Sequence, residues 1–82
     1  MPRLLFFGPL GDVMGRARTI ALPEGVESAG ALLDHLAAAD PAFAEAASRM
    51  RLRVAVNEAI VDLSAPIGAT VEIAFLPPFS GG

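Results

Sequence analysis

The spacing of apolar residues changes twice along this chain, and that change narrows the possible folds more than any other feature. Near the start, Leu4, Leu5, Phe6 and Phe7 form a short apolar run closed by Gly8-Pro9. Such a run predicts a strand from Arg3 to Gly8, buried on at least one face. Leu10 to Gly15 predicts a helical turn between glycines. Arg18 to Leu22 alternates, with Arg18, Ile20 and Leu22 against Thr19 and Ala21, and stops at Pro23-Glu24-Gly25. That is a second strand, and the short connection implies an antiparallel hairpin with the first. The period then lengthens. Ala29, Leu32, Leu33 and Leu36 fall at i, i+3, i+4 and i+7, one apolar face of a helix, with Ser28 as its N-cap and Asp34 and His35 off the stripe. Asp40-Pro41 opens a short second helix, Asp as N-cap and Pro in the first turn, and Phe43, Ala47 and Met50 continue the apolar spacing.

From Arg51 the period returns to two. Leu52, Val54 and Val56 point one way, Arg51, Arg53 and Ala55 the other. Asn57-Glu58 reads as a turn, Ile60 to Leu63 as a short strand, and Pro66 and Gly68 as another turn. Thr70 to Leu76 is the last strand, with Val71, Ile73 and Phe75 on one face and Glu72, Ala74 and Leu76 on the other. Pro77-Pro78 ends it, because proline offers no N–H to a ladder. A hairpin, a helix crossing one sheet face and further strands make a two-layer α+β domain. The β-grasp (ubiquitin-like) arrangement satisfies this order, with a mixed sheet of four to five strands on one main helix plus a short second one. It places the first and last strands, the two most apolar, side by side in the sheet centre. The domain spans residues 1–76, and residues 77–82 form an extended tail.

Composition excludes several functional classes. Eighty-two residues make one domain. The net charge of −3, six basic against nine acidic residues, argues against nucleic-acid binding, which favours a basic excess. The absence of cysteine rules out disulfides and thiolate metal sites and fits a reducing cytoplasm. The N-terminal apolar run is too short for a signal peptide, and nothing approaches the ~20 apolar residues of a membrane span, so a soluble cytoplasmic protein is expected. Charged residues make up only 18% and mean hydropathy is +0.55, so either some apolar surface faces outward toward a partner or the many alanines account for the value.

The chain ends Pro77-Pro78-Phe79-Ser80-Gly81-Gly82. Two prolines favour a stiff, extended exit from the sheet. Phe79 offers one large apolar anchor, and Ser80, Gly81 and Gly82 are small, glycine lacking the Cβ that would obstruct a narrow channel. Four extended residues reach roughly 13–14 Å, enough to place a terminal carboxylate inside another protein's active site.

Leu5-Phe6-Phe7, Gly30-Ala31-Leu32-Leu33-Asp34-His35-Leu36, Val56-Asn57-Glu58 and Phe75-Leu76-Pro77-Pro78-Phe79-Ser80-Gly81-Gly82 together resemble the MoaD family of ubiquitin-like sulfur carriers, small subunits of molybdopterin synthase. The likeness covers essentially the whole chain, and the Pro-Pro-x-Ser-Gly-Gly ending is its most specific motif. Two departures stand out. Gly8-Pro9-Leu10-Gly11 replaces a loop that often carries a basic residue, and Gly68-Ala69-Thr70-Val71-Glu72 replaces a common acidic turn.

The resemblance implies a mechanism. The C-terminal glycine, Gly82, is adenylated with ATP on a separate activating enzyme (MoeB-like), receives sulfur from a donor system as a thiocarboxylate, and enters the large synthase subunit (MoaE-like). There it donates sulfur to the cyclic pterin phosphate precursor of molybdopterin. Gly82 is then the covalent carrier and Gly81 gives clearance, while Pro77, Pro78 and Phe79 aim and anchor the tail. The body binds no cofactor or metal, and catalysis belongs to the partner in a complex of two small and two large subunits. The residue inventory agrees. His35 lies off the helical apolar stripe, the serines lack a histidine–acid context, Glu58 and Asp62 read as solvated surface, and the glycines form no phosphate-loop spacing.

Both parities of the first strand are apolar, which is unusual for a half-exposed sheet. Phe7, Ile60 and Leu76 are therefore expected to form a docking patch for the large subunit and the activating enzyme. Arg51 and Arg53, with Arg49 just before them, form either a solvated edge or a contact with an acidic partner. Three rival readings stand beside this one: a ThiS-like carrier for thiamine synthesis, a ubiquitin-like modifier of other proteins, and a binding module with an idle tail. The lack of lysine excludes only chains built on the protein's own side chains.

Overall fold

The computed structural model describes residues 1–68 and 72–78. Its elements are β1 (Arg3–Phe6), α1 (Pro9–Met14), β2 (Ala17–Thr19), α2 (Ala29–Ala39), α3 (Pro41–Ser48), β3 (Arg53–Val56), β4 (Ala59–Val61) and β5 (Glu72–Leu76). The strands form one mixed sheet in the order β2-β1-β5-β3-β4. β1 and β5 are parallel neighbours, as expected of the two most apolar strands, and the other pairings are antiparallel. This is the expected β-grasp arrangement. Residues 7–71, between these two strands, form the crossover that a parallel β1–β5 pair requires.

Alternation decides which side is core. Leu4 and Phe6 of β1, Ile73 and Phe75 of β5 and Val54 of β3 are buried, and they meet Leu10 and Met14 of α1, Ala29, Leu32 and Leu36 of α2 and Phe43 of α3. Phe6 and Phe75, in register across β1 and β5, stack with ring centroids 5.2 Å apart. Phe43 caps the pair edge-on, at 5.9 Å from Phe6 and 6.1 Å from Phe75.

Helix starts follow local chemistry. The Ser28 hydroxyl accepts from the Ala31 N–H, and the Asp40 carboxylate accepts from the N–H groups of Ala42 and Phe43. Two more orphan donors at the start of α2 find backbone partners in the loop after β4: Ala29 N–H bonds Ala65 O at 3.0 Å and Gly30 N–H bonds Leu63 O at 2.7 Å. Asn57 and Glu58 both have positive φ, as the two central residues of a type I′ hairpin turn do, and this sets Val56 opposite Ala59.

The strands are shorter than expected: β1 ends at Phe6 and not Gly8, β3 begins at Arg53 and not Arg51, and β2 and β4 are cut back for local reasons. β2 stops at Thr19, although Ile20 N–H still bonds Pro2 O, because Pro2 has no N–H to return the bond. Ile20 and Leu22 instead pack half-buried on the core. β4 begins at Ala59 and leaves the ladder after Val61, since the following turn diverts the Leu63 carbonyl to α2. The expected position of Val71 lies outside the described residues.

Candidate functional site: the outer sheet face and the end of β5

The helices pack on one face of the sheet only, and the other is open. Register builds that open face in rows. Ala17, Leu5, Ala74, Ala55 and Ile60 stand side by side across all five strands, an apolar strip perpendicular to the chain direction. Ala55 and Ala74 keep only 8% of their surface exposed, so the strip is low in its middle, whereas Ile60 at its end is 51% exposed.

Toward the C-terminal end of β5 the next row holds Leu76 opposite Arg53. Phe7 follows β1 beside Leu76; its N–H donates to Phe75 O at 3.1 Å and the residue is 45% exposed. Toward the other end, Arg3 opposes both Glu72 and Thr19, making a polar border. Phe7 and Leu76 are thus neighbours, while Ile60 lies two strands from Leu76, with Arg53 and Ala55 of β3 between. The parity of Leu5, Ala55 and Ala74 was visible in the sequence. Their alignment into one strip was not, because register depends on the turn at Asn57-Glu58 and on the β1–β5 pairing.

The base of the tail is held where the strip ends. Pro77 is half-buried and packs against Gly8, whose φ of +59° suits glycine and where an added Cβ would lie 3.2 Å from the proline ring. Pro78 is exposed. Phe79, Ser80, Gly81 and Gly82 lie outside the described residues.

A recess of about 460 Å³ opens at the β1–β2 end of the face, lined by Arg3, Leu5, Phe7, Gly11, Asp12 and Arg16 among others. Sequence reasoning did not single out Arg16. Arg49, expected to join a row with Arg51 and Arg53, instead ends α3, where it pairs with Glu45 at 2.6 Å. Among the described residues no carboxylate lies within ion-pair distance of Arg3, Arg16, Arg51 or Arg53.

The body offers little for catalysis. Among the described residues no polar or charged residue is buried, and no group of three or more His, Cys, Asp or Glu is placed to hold a metal ion. His35, Glu58 and Asp62 are all exposed. No helix among the described residues is long and apolar enough to cross a membrane.

Residues 4–82 match the model of the ThiS family. The molybdopterin synthase sulfur carrier subunits of Haemophilus influenzae and Escherichia coli K12 are 33% and 32% identical to this chain over 82 residues, each match spanning the whole of both chains. Among solved structures, SAMP1 from Haloferax volcanii superposes with a TM-score of 0.72 and 29% identity, covering 98% of this chain and 97% of that one. Another structure of H. volcanii small archaeal modifier protein 1 gives 0.70 and 25%, covering 94% and 95%.

Proposed function

The chain belongs to the ThiS family, and on that premise we propose that it is the sulfur carrier subunit of a molybdopterin synthase, with its C-terminal glycine as the reactive group. The observation that carries this reading is the correspondence with two sulfur carrier subunits, each match covering the whole of both chains. The structure lends support from a different direction. The body has no buried polar group among its described residues, while the central strand of the sheet delivers the chain to an exposed proline beside an apolar face.

A free carboxylate is a poor acceptor for a sulfur nucleophile at neutral pH. On the activating enzyme the Gly82 carboxylate attacks the α-phosphate of ATP, releasing pyrophosphate and leaving an acyl adenylate. Hydrosulfide from the sulfur source then attacks the acyl carbon, the C–O bond to AMP breaks, and AMP departs to leave the thiocarboxylate. In the large subunit the C–S bond breaks, sulfur passes to the pterin precursor, and water restores the carboxylate. Pro77, Pro78 and Phe79 aim the tail, Ser80 and Gly81 let it pass a narrow channel, and Phe7, Ile60 and Leu76 cover the apolar contact with each partner in turn. The body itself holds no cofactor in this scheme, and a reducing cytoplasm suits the thiocarboxylate.

Intact mass after incubation with ATP, the activating enzyme and a sulfur source tests this. The expected product carries one sulfur in place of one oxygen, and a chain lacking Gly82 neither gains it nor restores molybdopterin formation in a strain without the small subunit. Retained sulfur delivery by the truncated chain contradicts the proposal. The likeness to an archaeal modifier protein favours one second reading, attachment of this C-terminus to other proteins. Conjugates in place of the thiocarboxylate would establish it.

A further inference from the structure

Of the six arginines, Arg3, Arg18 and Arg53 sit on strands and Arg16 immediately before one, while Arg51 lies two residues ahead of β3 and Arg49 ends α3. Glu24, Glu27, Asp34, Asp40 and Glu45, by contrast, lie on α2, α3 and the loop before them. The open side of the sheet carries charges of both signs, Arg3 and Arg53 together with Glu72, while Arg18 stands opposite the core-facing Leu4 and so lies on the helix side. Within that side the charges are not evenly spread. Arg3 and Arg16 line one recess at the β1–β2 end of the apolar strip, with Asp12 as the only carboxylate among its lining residues. Both arginines are exposed, and among the described residues neither has an ion-pair partner. Arg18, two residues further on, is different: its Nε donates to Met14 O at 2.8 Å and braces the end of α1.

Leu5 and Phe7 belong to the recess and to the apolar face alike, so whatever covers the face also closes over the recess. Two guanidinium groups closed under an apolar contact need an anion. Left unpaired, their desolvation opposes docking; matched, they form charge-assisted hydrogen bonds, of which the guanidinium fork makes two to one carboxylate. The recess, at about 460 Å³, has room for an acidic side chain and its stem.

We propose that the Arg3–Arg16 recess receives a carboxylate side chain of the partner protein that covers the apolar strip, and that this contact fixes the orientation in which the partner docks. The inference rests on the carrier reading above, with the large synthase subunit as that partner. The recess at the other end of the strip is lined by Arg53 with Asp62, one charge of each sign, whereas this one sets two arginines against one carboxylate, and that difference distinguishes the right orientation from its reverse. In the reverse one, Arg3 and Arg16 would be covered without a partner.

Titration of the full-length protein with its large subunit, at low and at high salt, tests the recess. The wild type is expected to bind more weakly as salt rises. Arg16→Glu should weaken binding about tenfold or more at low salt and flatten the salt dependence, and Arg16→Lys should fall between it and the wild type. Asp12→Asn removes the competing carboxylate and should tighten binding, which a purely structural role for these residues does not predict. Arg3→Glu provides an independent arm should Arg16→Glu disturb β2. Equal affinity of both glutamate variants and the wild type, at either salt, overturns the recess. If Phe7→Glu still abolishes binding in that case, the docking face stands without it. If Phe7→Glu also binds normally, the failure lies with the docking face.

Discussion

At Gly30 the loop after β4 comes closer to α2 than most Cβ atoms tolerate. An added Cβ would lie 3.1 Å from Leu63 O and 3.2 Å from Leu63 Cβ, and the Gly30 N–H already bonds that carbonyl. Helix propensity alone gives alanine an advantage over glycine of about 0.8–1.0 kcal/mol. Here crowding of about 1–3 kcal/mol opposes it, because the atoms that must move are backbone. Gly30→Ala is therefore expected to lower the urea midpoint of unfolding where propensity would raise it. Nothing in the sequence reveals this demand. Gly30 reads as an ordinary glycine in the first turn of α2, and its neighbour Leu63 comes from a loop thirty-three residues away. Asp40 and Ser28 are the opposite case. Their caps bond N–H groups two or three residues on, so the sequence shows both partners at once.

Among the elements, α3 is the shorter of the two helices that follow β2, yet it supplies the ring that closes the aromatic cluster. Phe43 is fully buried against Phe6 and Phe75. Phe43→Ala should cost about 3–5 kcal/mol. A chain of this size holds about 4–12 kcal/mol in total, so thermal unfolding followed by circular dichroism should show a protein near its stability limit. Phe43→Leu should lose distinctly less. The elements themselves were legible wherever the pattern was local: the stripe of α2, the Asp40-Pro41 start of α3, the alternation of β3 and β5. Strand ends were legible only in part. The ladder at Thr19 depends on what Pro2 cannot donate, and the end of β4 depends on which donor claims the Leu63 carbonyl. The apolar residues of the face could be named from parity, but their assembly into a strip with an arginine recess required the register. The separation of Arg49 from Arg51 and Arg53 likewise needed the turn after α3.

As a whole the molecule has a closed side and an open side, and the proposed work is assigned to the open one. The core face needs Leu4 and Phe6, whereas Phe7, one residue later, leaves nearly half its surface to solvent. Phe7→Glu should therefore keep the native circular dichroism spectrum and melting behaviour. It should raise the dissociation constant for the large subunit at least tenfold, by placing a charge in the centre of an apolar contact, as gel filtration of the mixture can show. An unchanged complex would remove the face from the account of docking while leaving the fold as described.

The place of β5 in the sheet has a mechanical consequence. It is bonded on one side to β1, which runs with it, and on the other to β3, which runs against it. An enzyme that seizes the chain end and draws it into a channel tugs along the axis of this strand. Such a load must shear both ladders together instead of peeling them bond by bond. A load applied there is spread over two ladders at once, which suits the carrier role proposed above.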